Sequence, residues 1–223
     1  MKLLKNLLLL CSLALLAFSC NNDDDQHQPA PVTFPNYSQL KVGNYWIYQR
    51  FQIDNGTVTP LNIYDSVYVE KDSVMNGNRY YYLNKPDDFT PYKSVISGWL
   101  RDSLHYTLSG LGAGGDVVFS SQDFTTQFLD YYVESSNDTL YRRVNQMVEK
   151  DMLINTPAGN FETSNYREEY RFYPAYNSNV PAAYMNHQFA KNVGLVNETL
   201  LGYLFDFQNG RWKERRLVRY HLH

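Results

Sequence analysis

Arg211-Trp212-Lys213-Glu214-Arg215-Arg216-Leu217-Val218-Arg219-Tyr220-His221-Leu222-His223 closes the chain, and its alternation decides the fold class. Arg211, Lys213, Arg215, Arg219, His221 and His223 share one parity, and Trp212, Val218, Tyr220 and Leu222 share the other. Successive strand side chains point to opposite faces. The pattern therefore predicts a strand with its basic set in water and its aromatic set in a core. A basic stripe for an acidic polymer is the rival reading of the same parity. Asn209-Gly210 just before is a hairpin signal, with Leu200 to Phe207 as the partner strand.

The same texture extends back to Phe34. The chain holds 20 Tyr, 12 Phe and 3 Trp, types that favour pleated, half-buried surfaces. Turn signals recur at Asn55-Gly56, Asn76-Gly77, Gly114-Gly115 and Asn137-Asp138, which indicates antiparallel hairpins and not βαβ units. Strands are expected at Trp46 to Ile53, Tyr64 to Lys71, Val74-Met75 with Arg79 to Leu83, Val95 to Tyr106, Val117 to Ser120, Leu140 to Ile154 and Thr163 to Phe172. A loop with Pro174 and Pro181 follows. Phe124 to Tyr132 fits no period well.

The first residues have a different composition. Lys2 and Lys5 precede an apolar run from Leu7 to Phe18, too short for a spanning helix of about 20 residues. A positive start, a short apolar core and small residues at its end make a secretory signal. Ala17-Phe18-Ser19-Cys20 resembles a bacterial lipobox, which implies lipid on Cys20 and cleavage before it. Asn21 to Thr33 is polar or proline, including Asp23, Asp24 and Asp25. Such a stretch cannot bury enough apolar surface to order itself and reads as a disordered tether. The three aspartates resemble the acidic export signal of surface lipoproteins of the Bacteroidota type; a merely soluble linker is the other reading.

Cysteine and charge agree with export. Cys11 leaves with the signal, so the mature chain has no thiol beyond Cys20 for disulfides, thiolate metal sites or nucleophiles. Losing residues 1–19 removes two lysines and no acid, taking the formal net charge from −3 to −5. A mildly acidic exported protein is not built for nucleic acid.

Leu40-Lys41-Val42-Gly43-Asn44-Tyr45-Trp46-Ile47-Tyr48, Thr156-Pro157-Ala158-Gly159-Asn160-Phe161-Glu162 and Ala190-Lys191-Asn192-Val193-Gly194-Leu195-Val196 resemble recurrent stretches of uncharacterised Bacteroidota-type lipoproteins. More distantly, the outline is similar to outer-membrane lipoprotein carriers. That resemblance implies a half-open antiparallel barrel around an acyl chain, by analogy of fold alone.

Chemical motifs are sparse. Gly110-Leu111-Gly112-Ala113-Gly114-Gly115 precedes a strand pattern, Asp116 to Ser120, and not the helix a phosphate loop needs. His27, His105, His187, His221 and His223 supply no matched zinc set. Asp87-Asp88 and Glu168-Glu169 are adjacent, so on a strand the two members of each face opposite ways. Asp65-Ser66-Val67, Asp72-Ser73-Val74, Asp102-Ser103-Leu104 and Asp138-Thr139-Leu140 resemble the O-glycan acceptor of Bacteroidota-type exported proteins at Ser66, Ser73, Ser103 and Thr139. Asp-Ser pairs also make ordinary turns.

The expected architecture is mainly β. It is a single antiparallel, strongly curved sheet, a half-barrel or lipocalin-like barrel, with few or short helices. Residues 1–19 form the signal, 20–33 the lipidated tether and 34–223 one β domain. The expected role is non-enzymatic binding of a small apolar or amphipathic ligand in the concave face, by a protein anchored at the outer membrane. A surface protein- or glycan-interaction role is the alternative, and an envelope hydrolase a weaker one. No cofactor is implied, and the expected partners are the membrane through Cys20 and a lipid-like or glycan ligand.

Overall fold

The computed structural model describes residues 32–84, 98–110, 115–136, 138–174, 182–200 and 210–223. The expectations for Cys20, the tether, His27, Asp87-Asp88 and the glycines at 111–114 lie outside these residues. Twelve strands are described: β1 (Tyr45–Asp54), β2 (Thr57–Met75), β3 (Asn78–Asn84), β4 (Gly98–Ser103), β5 (Tyr106–Ser109), β6 (Asp116–Ser120), β7 (Gln127–Ser135), β8 (Asp138–Thr156), β9 (Gly159–Phe172), β10 (Ala182–Ala190), β11 (Gly194–Leu200) and β12 (Arg211–His221). All join one antiparallel sheet, with no helix among the described residues.

Strands adjacent in sequence are adjacent in the sheet, with one exception. The last strand β12 pairs with the first, β1, and the seam lies between β6 and β7. Side chains bridge that seam. The Tyr166 hydroxyl on β9 donates to the Val117 carbonyl on β6 at 3.1 Å. The rings of Phe119 on β6 and Phe189 on β10 lie 4.5 Å apart. The sheet is thus a nearly closed barrel, and its local turns are those the sequence names. Asn55-Gly56 (φ 48° and 82°) and Asn76-Gly77 (φ 51° and 77°) have the two positive φ values of a tight hairpin turn.

Two strand expectations change. Val95 to Tyr106 is not one strand: β4 ends at Ser103 and the chain reverses at Leu104-His105, with Leu104 at φ 55°. No Gly or Asn marks that turn. β10 and β11, which carry Asn186, His187, Asn197 and Glu198, sit where polarity had masked strands. Phe124 to Tyr132 resolves in favour of β7 from Gln127 onward. Residues 201–209 are not described, so Leu200 to Phe207 is represented only by Leu200, the end of β11, which pairs with Lys213 of β12.

The closing strand corrects its own reading. β12 pairs with β1 as Trp46↔Tyr220 and Ile47↔Arg219, then Tyr48↔Leu217 and Arg50↔Arg215, so Val218 is an extra residue. Such a bulge moves every residue on one side of it to the opposite face. Beyond Val218, Tyr220 is paired with buried Trp46, yet it is 40% exposed and not in the core as the alternation says, whereas Leu222 is half-buried against the core. Before it the odd set faces inward instead, and Arg215 is 2% exposed. Trp212, expected in the core, lies on the other face and donates its indole N–H to Glu214 at 3.0 Å.

Among the described residues, large side chains of the chain itself fill much of the interior. Tyr48, Tyr80, Tyr166, Phe119 and Phe189 are all fully buried. Beside Trp46, Tyr48 and Arg215 only about 10 Å³ remains free, room for one water at most. An acyl chain has no space in that part of the concave face. The three motif stretches meet around it: Trp46 Nε1 donates to the Val193 carbonyl at 2.6 Å, and Tyr48 Oη to Leu195 at 2.8 Å. Ala158 N donates to the Leu217 carbonyl at 2.9 Å. Gly194, at φ 106°, lies so close to the Trp46 indole that a Cβ there would sit 3.0 Å from Nε1. Glycine is required at that position on both counts.

Candidate functional site

The segment before β1 builds a cleft at the barrel end where β1 begins. Asn36 accepts the Asn192 N–H from the β10–β11 turn at 2.8 Å, and Tyr37 packs on Phe119 of β6 at 4.9 Å. Ser38 donates to Asp102 of β4 at 2.6 Å, and Thr107 of β5 donates to its other oxygen at 2.9 Å. Between this segment and the β4–β5 turn lies a half-open cleft of about 190 Å³, lined by Phe34, Tyr37, Asp102, His105, Tyr106, Phe119 and Ser121 among others. Phe34 lies edge-on to His105 at 5.5 Å, and His105 packs on Tyr106 at 3.9 Å. These rings form an aromatic wall.

Two polar groups give the cleft its chemistry. Ser120 Oγ accepts the N–H groups of Gln122 (3.2 Å) and Asp123 (2.8 Å) and lies 3.0 Å from His105 Nδ1. With both lone pairs taken, Ser120 donates to Nδ1, which leaves the proton of neutral His105 on Nε2. Ser120 is fully enclosed and has no free lone pair, so this Ser–His pair is not an activated nucleophile. Ser121 is 5% exposed and lines the cleft, and its Oγ has no hydrogen-bond partner among the described residues. Leaving a buried hydroxyl unpaired costs roughly 1–3 kcal/mol.

The second cluster lies deep in the barrel. His187, Glu198, Arg215 and Arg50 stand directly opposite one another across β10, β11, β12 and β1. Glu198 takes His187 Nδ1 at 3.1 Å and Arg215 Nε at 2.6 Å. His187 Nε2 lies 3.3 Å from Glu168, which also takes Arg143 at 2.6 Å and the Tyr170 hydroxyl at 2.9 Å. The Arg215 guanidinium stacks over Tyr48 at 4.6 Å, and Arg50 grips Asp65 with two bonds of 2.7 and 2.6 Å. His187, Glu198, Arg215 and Glu168 are each at most 4% exposed. The row is enclosed among the described residues, a polar spine that holds five strands in register.

No family model and no curated protein matches the chain. Among solved structures, it is similar to a protein named as a lipoprotein from Parabacteroides distasonis ATCC 8503. The TM-score is 0.44 at 11% identity, covering 85% of this chain and 100% of that one. It is also similar to a protein named as exported, with a YmcC-like fold, from Bacteroides fragilis NCTC 9343. There the TM-score is 0.42 at 14% identity, covering 84% and 100%.

The spine sets a pH dependence. Burial alone would push the His187 pKa down, but its hydrogen bonds to Glu168 and Glu198 and their charges hold it up at about 9, against 6.5 for a free imidazole. Burial would likewise raise Glu168, and His187 and Arg143 outweigh it, so its carboxyl stays below the ordinary range. A raised histidine stabilises fully below its unfolded pKa and loses that contribution as pH rises through the folded one. The unfolding free energy from urea denaturation should therefore fall between about pH 6.5 and 9, by an amount on the order of 3 kcal/mol. His187→Gln should flatten that slope. An equally steep slope in the variant would assign the titration elsewhere.

The other sequence candidates are placed apart from both clusters. Ser66 and Ser73 lie within β2, Ser103 ends β4 and Thr139 is the second residue of β8, all half-buried. Three of the aspartates before them are engaged: Asp65 with Arg50, Asp72 with Arg79, Asp102 with Ser38 and Thr107. Glu168 and Glu169 face opposite ways, the first in the spine and the second bonded to Arg171 at 2.5 Å. Gly110 follows β5 and Gly115 precedes β6, and these two strands pair with Leu108 opposite Val117. His221 stacks on Tyr45 at 5.6 Å, and no three metal-ligating side chains converge among the described residues. Sequence reasoning missed the spine because its members are scattered singly over five strands. It missed the cleft because Leu104-His105 lacks turn chemistry and Ser121 carries no motif.

Proposed function

We propose that this chain is a cell-envelope lipoprotein, held at the outer membrane by acyl chains on Cys20. Its β barrel binds a small amphipathic ligand in the end cleft without changing it chemically. The anchor rests on the lipobox-like Ala17-Phe18-Ser19-Cys20, with Asp23, Asp24 and Asp25 directing the domain outward. The observation that carries the binding role is the Ser121 hydroxyl, buried and unpartnered beside an aromatic wall. Such a cleft, apolar on one side with few convergent polar groups, is the common form of a small-ligand site.

Native mass spectrometry of the protein released intact from its own envelope tests the reading. The wild type should carry a retained small molecule. Phe34→Ala removes one half-buried wall of the cleft without touching the core. It should weaken retention about tenfold, from lost ring contact and lost apolar burial. Wild-type protein that is ligand-free under conditions preserving a known complex would overturn it, as would equal retention by the variant.

A further inference from the structure

We infer that the ligand of the end cleft is a neutral pyranose sugar, presented as a monosaccharide or as one ring of a glycan; this rests on the binding role proposed above. The argument runs from volume to polarity to charge. A cavity of about 150 Å³ accommodates one benzene, so about 190 Å³ suits one substituted six-membered ring. Phe34, His105 and Tyr106 offer ring faces and edges in succession, at 5.5 and 3.9 Å. The aliphatic C–H face of a pyranose covers such a wall, as an apolar body with a polar rim does.

The polar groups exclude the other ligand classes. A hydrocarbon would leave the Ser121 hydroxyl unpaired in a desolvated site, at the penalty already given. His105, in the cleft wall, offers Nε2–H as a donor that an acceptor oxygen would satisfy, and an alkylammonium has no such oxygen. An anion could supply it but would lie beside the Asp102 carboxylate, and no cationic side chain lines the cleft among the described residues. A neutral ring carrying several hydroxyls answers each group. One oxygen accepts from His105, one hydroxyl pairs with Ser121, and another donates to Asp102 at the rim.

Titration of the ¹⁵N-labelled domain with methyl glucoside, methyl galactoside and methyl mannoside tests this directly. At least one glycoside should shift the Phe34, His105 and Ser121 resonances, and the sugar retained from the envelope should bind more tightly than that single ring. Ser121→Ala, which keeps the backbone and removes only the hydroxyl, should weaken glycoside binding about tenfold. Phe34→Ala, farther from the core, should do the same and guards against a folding artefact in the first variant. Choline and cyclohexanol are the contrasting probes. The inference is overturned if none of the three glycosides binds, if binding is indifferent to both variants, or if choline or cyclohexanol binds more tightly. A retained envelope molecule that is not a sugar, lost in Phe34→Ala, would sink the sugar assignment and leave the binding role standing.

Discussion

Glu198→Ala should lower the stability of the barrel by about 3–5 kcal/mol, the usual effect of removing one partner from a buried ionic group. Glu198 is fully enclosed and joins His187 to Arg215. Its loss leaves an imidazolium and a guanidinium buried without that carboxylate between them. A domain of ordinary stability, about 5–15 kcal/mol, would be left near the edge of unfolding. Urea denaturation measures the change, and a midpoint within error of wild type would contradict the spine. The triple change His187→Leu, Glu198→Leu and Arg215→Met supplies the contrast. Replacing buried ionic groups together by apolar residues is often neutral or stabilising, and Glu168 keeps Arg143 and the Tyr170 hydroxyl as partners, so the triple variant should recover most of the loss.

Cys20→Ser should move the protein from the membrane fraction to the soluble fraction almost completely, or leave it as an uncut precursor. A serine hydroxyl cannot form the thioether that carries the lipid. Each buried acyl CH₂ contributes about 0.8 kcal/mol, and one chain alone gives only reversible binding, so retention depends on several chains at this one residue. Among the described residues no helix is long and apolar enough to cross a membrane. Intact lipid-linked mass and fractionation after a high-salt wash read the outcome, and normal retention of a cleaved Cys20→Ser protein would end the anchor proposal. Changing Asp23, Asp24 and Asp25 to Ala should leave anchoring intact and reduce cleavage of the domain by external protease.

The cleft and the spine differ in what hides them. The cleft depends on Ser38, 64 residues from Asp102, and on a turn at Leu104-His105 whose positive φ comes from context and not from a Gly or Asn. Only His105 and Asp102 could have drawn notice, and each has an ordinary surface reading. The spine hides in residues that look like solvent-facing charge: Arg215 in a basic alternation, Glu168 in an acidic doublet, Glu198 in Asn197-Glu198-Thr199. Their burial becomes tolerable only once opposite charges from neighbouring strands satisfy them.

What the sequence determined by itself is local. Asn55-Gly56 and Asn76-Gly77 specify tight hairpins because few residues adopt two successive positive φ values cheaply. Aromatic and β-branched runs between such turns specify antiparallel strands, and the proposed export signal with its acylatable Cys20 is read from the leader alone. The tertiary structure decided which face of each strand is inside. A single extra residue at Val218 reverses the parity of β12, placing Arg215 inside the barrel and Trp212, half-buried opposite Ile53, on the other face. Alternation fixes only that two faces differ; the pairing of β12 with β1 chooses between them. That choice turns a basic stripe into the end of a buried ionic row.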